Sequence, residues 1–413
     1  MKVLQISGSD CKGGAAKVAL ALHRGLRDNG HQADLLVASQ SLLDEPGVTE
    51  INPKLIGTCG WFARRRMAKA GTYATAPDSG FPQNLGAEFL ASFDLLHLHD
   101  VPRLNFSQLP WLCEQLPVIW TLHTMGGFTG NCLYDYGCDR FQDSCGDCPQ
   151  HGVFPLNWFP VDGSKANLQT KKEAFQQSKR LYPVGVSEWI SGQARTSWMR
   201  HLDIATVANG IDTDSFQPIE KSRAREQLGI PADAQAILFS IASNPDDKRK
   251  GTDIILEALH KLDRPDVWLI PLGIAEVPTA LESAFAELPN PRLAVQHLDT
   301  DEDLRLHYSA ADLVWHPSRA DTSSLVSMEA CACGTPVIAA SVGGVPEVVI
   351  DGQCGILVPA DDATALARET RALFDDPSRL RELSSTSRSL AEQRFPASHM
   401  VDSYESVYQQ ILS

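Results

Sequence analysis

The stretch Ser318–Val337, SRADTSSLVSMEACACGTPV, carries the strongest structural signal in this chain. Seven residues separate the two carboxylates in it, Asp321 and Glu329. After Asp321 a hydroxyl-rich turn leads into an apolar, alanine-rich segment, and Gly334 predicts the end of a helix before a strand over 336–340. The spacing therefore places Asp321 on the loop before the helix and Glu329 inside the helix, about two turns further on.

The start of this predicted helix is suited to an anion. The first N–H groups of a helix have no partner within it, and the helix dipole attracts negative charge. A diphosphate is an anion that such a helix start can hold. The alternative interpretation is an ordinary strand–loop–helix unit of an α/β domain with no ligand.

Composition limits the classes of protein that the chain can belong to. At 413 residues it is too long for one ordinary core, so two domains are expected. Its 43% hydrophobic and 21% charged residues are typical of a globular protein, and a net charge of −15 argues against nucleic-acid binding. No apolar stretch approaches the length of a membrane span, and the N-terminus enters a strand without a signal peptide. We expect a cytoplasmic protein, where disulfides are rare.

Strand-like and helix-like segments alternate along the chain, which predicts α/β domains built on parallel sheets. The first series starts with the strand Lys2–Ser7, and the second begins after Asn209–Asp212. We predict an N-terminal domain over 1–212, a C-terminal domain over 213–394, and a last helix over 395–413 that packs back on the first domain. The strands of the second series are predicted over 236–242, 267–273, 293–298, 312–316, 337–340 and 355–358.

A basic turn follows the first strand of the second series and precedes a helix. Its sequence is Asp247-Lys248-Arg249-Lys250-Gly251, and three adjacent cations beside a helix start favour a diphosphate. Ligands of parallel sheets bind at the carboxyl ends of the strands, which is where this turn lies. A solvated basic turn is the alternative.

Two features of the first series also lie at strand ends. Gly13 and Gly14 follow the first strand, and glycine lets the backbone approach a sugar or a phosphate closely. His123 ends the strand that starts at Val118, so we expect it to face a ligand. A packing role for the glycines and a hydrogen-bonded core position for the histidine are the alternatives. The glycine patterns of dinucleotide and P-loop sites are missing.

Four cysteines lie within seventeen residues of one loop, which we place over 126–152. Cys132, Cys138, Cys145 and Cys148 form the pattern Cys-x5-Cys-x6-Cys-x2-Cys, and Gly146 allows a tight turn. Four thiols in a cytoplasmic protein predict that this loop binds a structural zinc ion. A pair of disulfides and a set of unbridged thiols are the alternatives.

The segment Trp61–Lys69, WFARRRMAK, combines aromatic and basic residues. That combination suits the surface of a membrane, so a peripheral contact with the inner face of a membrane is one interpretation. A solvated helix face with an anchoring tryptophan is the other.

The chain resembles the retaining glycosyltransferases of family 4, whose GT-B fold has two facing Rossmann-like domains with a cleft between them. Asp321-x7-Glu329 is similar to the family's Glu-x7-Glu, with the first glutamate replaced by aspartate. Lys250-Gly251 matches the family's Lys-Gly, although the arginine usually found five residues before the lysine is Pro245 here. The segments Asn209–Asp212 and Gly343–Glu347 also fit the family, the first as a hinge.

The resemblance implies how a nucleotide-diphosphate sugar binds. It implies that Glu329 contacts the ribose, and that Arg249 and Lys250 neutralise the diphosphate. The transferred hexose is expected to contact Asp321 from one side and His123 from the other. Further contacts with the nucleotide sugar are expected from Gly13, Gly14, His297, Leu298, Thr322, Ser323, Ser324, Leu325 and Val326.

The resemblance also implies a reaction. A hexose passes to a hydroxyl of a glycan or lipid-linked glycan with retention of anomeric configuration, without a cofactor or a catalytic metal. Bacterial exopolysaccharide assembly is the implied pathway. Two alternatives stay open: a nucleotide-sugar epimerase of the same fold, and a non-catalytic protein that binds sugar nucleotides or acts as a scaffold.

Overall fold

The structure is a computed structural model of the 413-residue chain. It describes residues 1–10, 13–39, 44–52, 61–99, 104–154, 156, 159–241, 247–273, 278–298 and 300–413. Pro245, where the resemblance places an arginine in the family, lies outside the described residues. So do the side chains of residues 61–64, which include the tryptophan of the basic aromatic segment.

The chain divides into two compact units. The first contains Met1–Gly210 together with Ala397–Ser413, and the second contains Ile211–Pro396. The predicted domains changed over after residue 212, two residues later than the units do. The last helix, predicted over 395–413, belongs to the first unit from Ala397 onward.

The first unit is built on a sheet of parallel strands in the order β3-β2-β1-β4-β5-β6-β7, as far as the described residues show. Its strands are β1 (Lys2–Ser7), β2 (Gln32–Val37), β3 (Val48–Glu50), β4 (Leu95–Leu98), β5 (Val118–Leu122), β6 (Leu181–Gly185) and β7 (Ala205–Thr206). Its helices are α1 (Gly14–Asp28), α2 (Trp61–Ala70), α3 (Ala87–Leu90), α4 (Leu109–Gln115), α5 (Ser164–Gln177), α6 (Glu188–Thr196) and α15 (Ala397–Leu412).

The second unit repeats this plan with a parallel sheet in the order β12-β11-β10-β8-β9. Its strands are β8 (Ala236–Ser240), β9 (Trp268–Leu272), β10 (Leu313–His316), β11 (Val337–Ala340) and β12 (Gly355–Val358). Its helices are α7 (Lys221–Leu228), α8 (Thr252–Leu262), α9 (Thr279–Ala286), α10 (Asp301–Ala310), α11 (Leu325–Ala332), α12 (Val345–Val348), α13 (Ala363–Asp375) and α14 (Pro377–Arg394).

The strands show why the sequence adopts this architecture. Every residue of β4, β5, β10 and β11 is buried, because helices cover both faces of a parallel sheet. The helices carry apolar residues at helical spacing, as in α8, where Ile254, Ile255, Ala258, Leu259 and Leu262 are buried. The predicted α/β fold with parallel sheets is confirmed.

One predicted strand is wrong. Residues 293–298 run beside β9 but form isolated bridges rather than a ladder, at Arg292 and Gln296. Leu293 donates its N–H to the Leu269 carbonyl, and the next bond is at Gln296, whose carbonyl accepts from Gly273. A spacing of three residues breaks the two-residue repeat that a strand requires.

The helix α15 packs on the first unit although it follows the second unit in sequence. It contacts α1, where a Cβ built on Gly25 would lie 2.4 Å from Val401 Cγ2. Tyr404 and Tyr408 of α15 are buried and hydrogen-bond to Thr121 and His97. Among the described residues, no helix is long and apolar enough to cross a membrane.

A buried lysine holds the start of the cysteine-rich loop. Lys171 of α5 is 2% exposed, and its Nζ donates to the carbonyls of Gly126 (2.7 Å) and Thr129 (2.9 Å). Burial lowers the pKa of Lys171 to about 8. The aromatic ring of Phe106 lies 5.1 Å from Nζ on another side.

We expect Lys171→Met to lower the free energy of unfolding by about 2 to 4 kcal/mol, because two buried carbonyls lose their hydrogen-bond donor. Urea unfolding monitored by circular dichroism measures this change. Lys165→Met is the matched control, since Lys165 is exposed on the same helix. Equal midpoints for the two variants would contradict the prediction.

Candidate functional site

The loop between β10 and α11 carries the two carboxylates that the sequence singles out. The helix α11 begins at Leu325, and the Oγ of Ser324 caps it by accepting from the Ser327 N–H. Asp321 lies in the loop, and Glu329 lies inside the helix. The predicted position of each carboxylate relative to the helix is therefore the observed one.

The side chain of Asp321 is bound within the loop. Its Oδ1 accepts from the Ser323 N–H at 3.2 Å, and its Oδ2 lies 3.3 Å from Nε2 of His316. Burial alone would raise the pKa of Asp321, but His316, Lys250 and Arg249 lower it below its ordinary value. Asp321 is therefore a carboxylate at neutral pH.

Glu329 is 4% exposed and is held by a tyrosine of another helix. The hydroxyl of Tyr308, on α10, donates to Glu329 Oε2 at 2.9 Å. Burial raises the pKa of Tyr308, and the charge of Glu329 raises it further. The tyrosine therefore stays a hydrogen-bond donor that orients the carboxylate.

The basic turn forms a short 3-10 helix, Lys248–Lys250, in which the Arg249 N–H donates to the capping side chain of Asp247. Gly251 ends it with φ 69°, and a Cβ at this position would lie 2.4 Å from the Pro317 carbonyl oxygen. Only glycine allows this contact between the turn and the segment that follows β10. The Arg319 N–H also donates to the Arg249 carbonyl at 2.7 Å.

The charges of both carboxylates act on Lys250. Burial and the neighbouring Arg249 charge lower the pKa of Lys250, and the charges of Asp321, Asp247 and Glu329 act against this shift. The structure thus brings Lys250 near two carboxylates that lie much further along the chain, and we call Lys250, Asp321 and Glu329 the charged cluster. All three were predicted as site residues.

The glycine pair Gly343-Gly344 fixes the backbone of Asp321. A Cβ at Gly343 would lie 2.0 Å from the Asp321 carbonyl oxygen, and the Gly344 N–H donates to that oxygen at 3.0 Å. From the sequence alone, this pair was notable only for its resemblance to a family. In the structure the pair is what lets a second loop pack directly against the carboxylate-bearing loop.

Three residues of the site were missed by the sequence analysis: His316, Tyr308 and Arg319. Arg319 binds Asp253 through two 2.8 Å hydrogen bonds and Asp361 through one of 2.6 Å. Arg319 lies inside the stretch Ser318–Val337, so an arginine two residues before a site carboxylate was an available signal. For Tyr308 no signal existed, because its contact depends on how α10 packs against α11.

The remaining predicted residues of the second unit have varied positions. Thr322, Ser323, Leu325 and Val326 surround the start of α11. His297 is exposed and Leu298 is half-buried in the irregular segment beside β9. Their predicted contact with the nucleotide sugar stays a prediction.

In the first unit, His123 follows β5 directly. Its Nε2 lies 3.0 Å from Nδ1 of His99, and burial lowers the pKa of His123 to about 3. Gly13 precedes α1 with φ 92°, a conformation that favours glycine, and α1 begins at Gly14. The predicted contacts of His123, Gly13 and Gly14 with a sugar nucleotide stay predictions.

Comparison with known proteins identifies the family. The family model described as Glycosyltransferase Family 4 matches residues 12–215, and the model described as Glycosyl transferases group 1 matches residues 220–390. A D-inositol 3-phosphate glycosyltransferase of Mycolicibacterium smegmatis is 34% identical over 332 residues, which are 78% of this chain and 68% of that protein. This chain belongs to glycosyltransferase family 4.

Further similarities extend over nearly the whole glycosyltransferase. A D-inositol 3-phosphate glycosyltransferase of Xylanimonas cellulosilytica is 29% identical and covers 96% of this chain and 92% of its own length. HepE of Anabaena, solved in complex with UDP-glucose, superposes with a TM-score of 0.70 at 18% identity, covering 99% of this chain and 100% of its own. The predicted GT-B fold is confirmed.

The four cysteines of the glycosyltransferase line one cavity. Cys132 is buried, the other three are half-buried, and none of the four forms a disulfide. The backbone turns tightly at Gly146 (φ 138°) and Asp147 (φ 44°), as predicted between the last two cysteines. Among the residues with described positions, no three His, Cys, Asp or Glu side chains are arranged to hold a metal ion. Zinc binding by this loop stays a prediction.

Elemental analysis of the glycosyltransferase purified without added metal tests the zinc prediction. We expect about one zinc per chain, and its loss in a Cys145→Ser/Cys148→Ser variant, because structural zinc sites require thiolate ligands. Cys113→Ser is the control, since Cys113 is a buried thiol outside this cavity. A zinc content near zero in the parent protein would leave the set of unbridged thiols as the answer.

The low pKa of His123 should make stability depend on pH. Its pKa is about 3 in the folded chain against an ordinary value near 6.5, so the unfolded chain binds more protons between these values. Stability is then lost as the pH falls below about 6.5, by about 2 kcal/mol at pH 5.0 from this residue alone.

Urea unfolding at pH 7.5 and pH 5.0 measures this effect, and His123→Asn should reduce the difference by about the same amount. His260→Asn, at an exposed position, should leave it unchanged. A pH difference that is the same in His123→Asn as in the parent protein would show that His123 does not resist protonation.

Proposed function

We propose that this family 4 enzyme transfers a hexose from a nucleotide-diphosphate sugar to an acceptor hydroxyl, with retention of anomeric configuration. The charged cluster carries the proposal, because it combines a lysine with one carboxylate just before α11 and one inside that helix. HepE, which binds UDP-glucose, shares the fold, and a uridine nucleotide is therefore the first candidate donor.

The diphosphate would bind between the basic turn and the helix start. Arg249 and Lys250 supply two positive charges, and the N–H groups of Leu325 and Val326 belong to the first turn of α11, where N–H groups have no partner within the helix. These groups would stabilise the negative charge that grows on the phosphate as the bond to the sugar breaks. The protein needs little rearrangement for this, since hydrogen bonds already hold the turn against the Asp321 loop.

The two carboxylates would bind the two uncharged parts of the donor, the ribose and the hexose. Glu329, oriented by Tyr308, would accept hydrogen bonds from the ribose hydroxyls. Asp321 would accept from a hydroxyl of the hexose. His316 and the Ser323 N–H keep this carboxylate ionised and fixed in direction.

The proposed reaction breaks the bond between the anomeric carbon and the leaving phosphate oxygen. The acceptor oxygen forms its bond to the same carbon on the same face. The acceptor proton passes to an oxygen of the leaving diphosphate, which keeps the bond electrons. A carboxylate base is then unnecessary, and the cations that lower the energy of the departing diphosphate provide most of the rate enhancement.

Two classes of acceptor are proposed. A glycan or lipid-linked glycan is the first, in line with the predicted role in exopolysaccharide assembly. D-inositol 3-phosphate is the second, and the names of the two relatives favour it. Incubation of the enzyme with each UDP-hexose and each acceptor class, followed by mass spectrometry of the product, separates the two classes. An epimerised sugar nucleotide formed without acceptor would instead identify an epimerase.

Location and membrane contact are proposed from the surface of the first unit. In a cytoplasmic enzyme with a lipid-linked acceptor, α2 would present Arg65 and Lys69 to anionic lipids. Arg66 of the same helix forms an ion pair with Asp78, and the carboxylate offsets the positive charge of Arg66. Sedimentation with vesicles of phosphatidylglycerol and phosphatidylcholine tests this contact.

Lys250→Ala and Glu329→Gln should each lower kcat/KM for transfer by about 10²- to 10³-fold, because each removes a contact with the donor near the leaving group. Donor turnover measured by release of the nucleoside diphosphate checks this. Lys248→Ala is the control, since Lys248 is exposed on the same turn and has no such contact with the charged cluster. Full activity in Lys250→Ala, with the fold intact, would show that the diphosphate binds elsewhere.

A further inference from the structure

A row of polar side chains crosses the buried first sheet. Gln5 of β1, His99 after β4 and His123 after β5 come from three strands that are neighbours in the sheet. His99 Nε2 lies 2.9 Å from the Gln5 side-chain amide, and His99 Nδ1 lies 3.0 Å from His123 Nε2. Gln5 and His99 are buried, so these contacts are shielded from water.

The neighbours of Gln5 settle which way its amide points. The Ala19 carbonyl can only accept a hydrogen bond, and the His23 N–H can only donate one. Each faces a complementary atom when Gln5 Nε2 points to Ala19 O (3.3 Å) and Oε1 points to His23 N (3.2 Å). In that orientation Gln5 Nε2 donates to His99 Nε2 at 2.9 Å. His99 Nε2 is therefore an acceptor and carries no proton.

Each histidine of this row holds a single ring proton. Burial lowers the pKa of His99 well below its ordinary value and that of His123 to about 3, so both are neutral at physiological pH. The proton of His99 must be on Nδ1, because its Nε2 accepts from Gln5. His99 Nδ1 then donates to His123 Nε2, and the proton of His123 must be on its own Nδ1.

A second set of contacts holds the His99 ring in place without competing for its nitrogens. The ring of His97 stacks on it at a centroid distance of 4.2 Å. His97 uses its nitrogens for Tyr408 and Thr121, each at 2.6 Å. The row from Gln5 to His123 is therefore separate from the contacts that bind α15.

We propose that Gln5 and His99 are positioning residues that hold His123 as its Nδ1–H tautomer, so that His123 meets the substrate as a hydrogen-bond donor. The partner class is an oxygen acceptor, such as a sugar hydroxyl oxygen. The substrate contact rests on the proposed function, whereas the tautomer does not. A further consequence is that His123 cannot act as a general base, because Nε2 is occupied and Nδ1 already carries the proton.

Long-range 1H–15N NMR correlation on protein labelled with 15N-histidine reads the tautomer directly, with His123→Asn to assign the signal. We expect the Nδ1–H form in the parent protein, although free histidine prefers Nε2–H. His99→Leu should return His123 to the Nε2–H form. It should also lower kcat about tenfold with less than a twofold change in donor KM, the effect of one lost hydrogen bond.

His99→Asn provides the rescue, since its side-chain amide can donate to His123 Nε2 and should restore both the Nδ1–H form and most of kcat. Tyr408→Phe is the matched control, because it removes a hydrogen bond from the neighbouring His97 alone. Thermal unfolding of every variant excludes a general loss of fold.

The outcomes separate the inference from the proposed function. An Nε2–H form of His123 in the parent protein overturns the inference, whatever the activity of the variants. A tautomer that responds to His99→Leu as expected, with an unchanged rate of transfer, supports the row of hydrogen bonds and refutes the substrate contact of His123.

Discussion

Close packing of backbone against glycine in the second unit positions the whole charged cluster. Gly251 lets the basic turn touch the Pro317 carbonyl, and Gly343 lets a second loop touch the Asp321 carbonyl. A side chain at either position would push apart two loops that come from different strands. The location of Lys250 relative to Asp321 therefore requires residues without a Cβ at positions 251 and 343. This explains why glycine occurs on both sides of the site.

Mutual compensation of charge follows from this packing. The half-buried Lys250 and Asp321 and the buried Glu329 would each be unfavourable as a lone charge, and together they offset one another. His316 and Tyr308 complete the arrangement by directing one carboxylate each. The result is a set of charges that is ordered before any ligand binds, the condition under which electrostatic stabilisation of a transition state is most effective.

Sequence reasoning predicted the parallel sheets and the three members of the charged cluster, because strands and each of these residues are recognised from local patterns. Buried strands are continuous apolar runs, and a helix start after a strand places a carboxylate within a few residues. It missed Tyr308, because the contact of this residue with Glu329 depends on helix packing. It also predicted a strand over 293–298 that does not form, because a strand there depends on the hydrogen-bond register with β9. The row from Gln5 to His123 was equally hidden, because the order of strands in a sheet cannot be obtained from residue spacing.

The path of the chain has a consequence for how it folds. The second unit is inserted between Gly210 and Ala397, and its two ends are held side by side by the Ile211 N–H, which donates to the Phe395 carbonyl. The first unit lacks the buried Tyr404 and Tyr408 until α15 has been synthesised. During translation the second unit is therefore complete first, and the half that begins the chain is the last to acquire its full core.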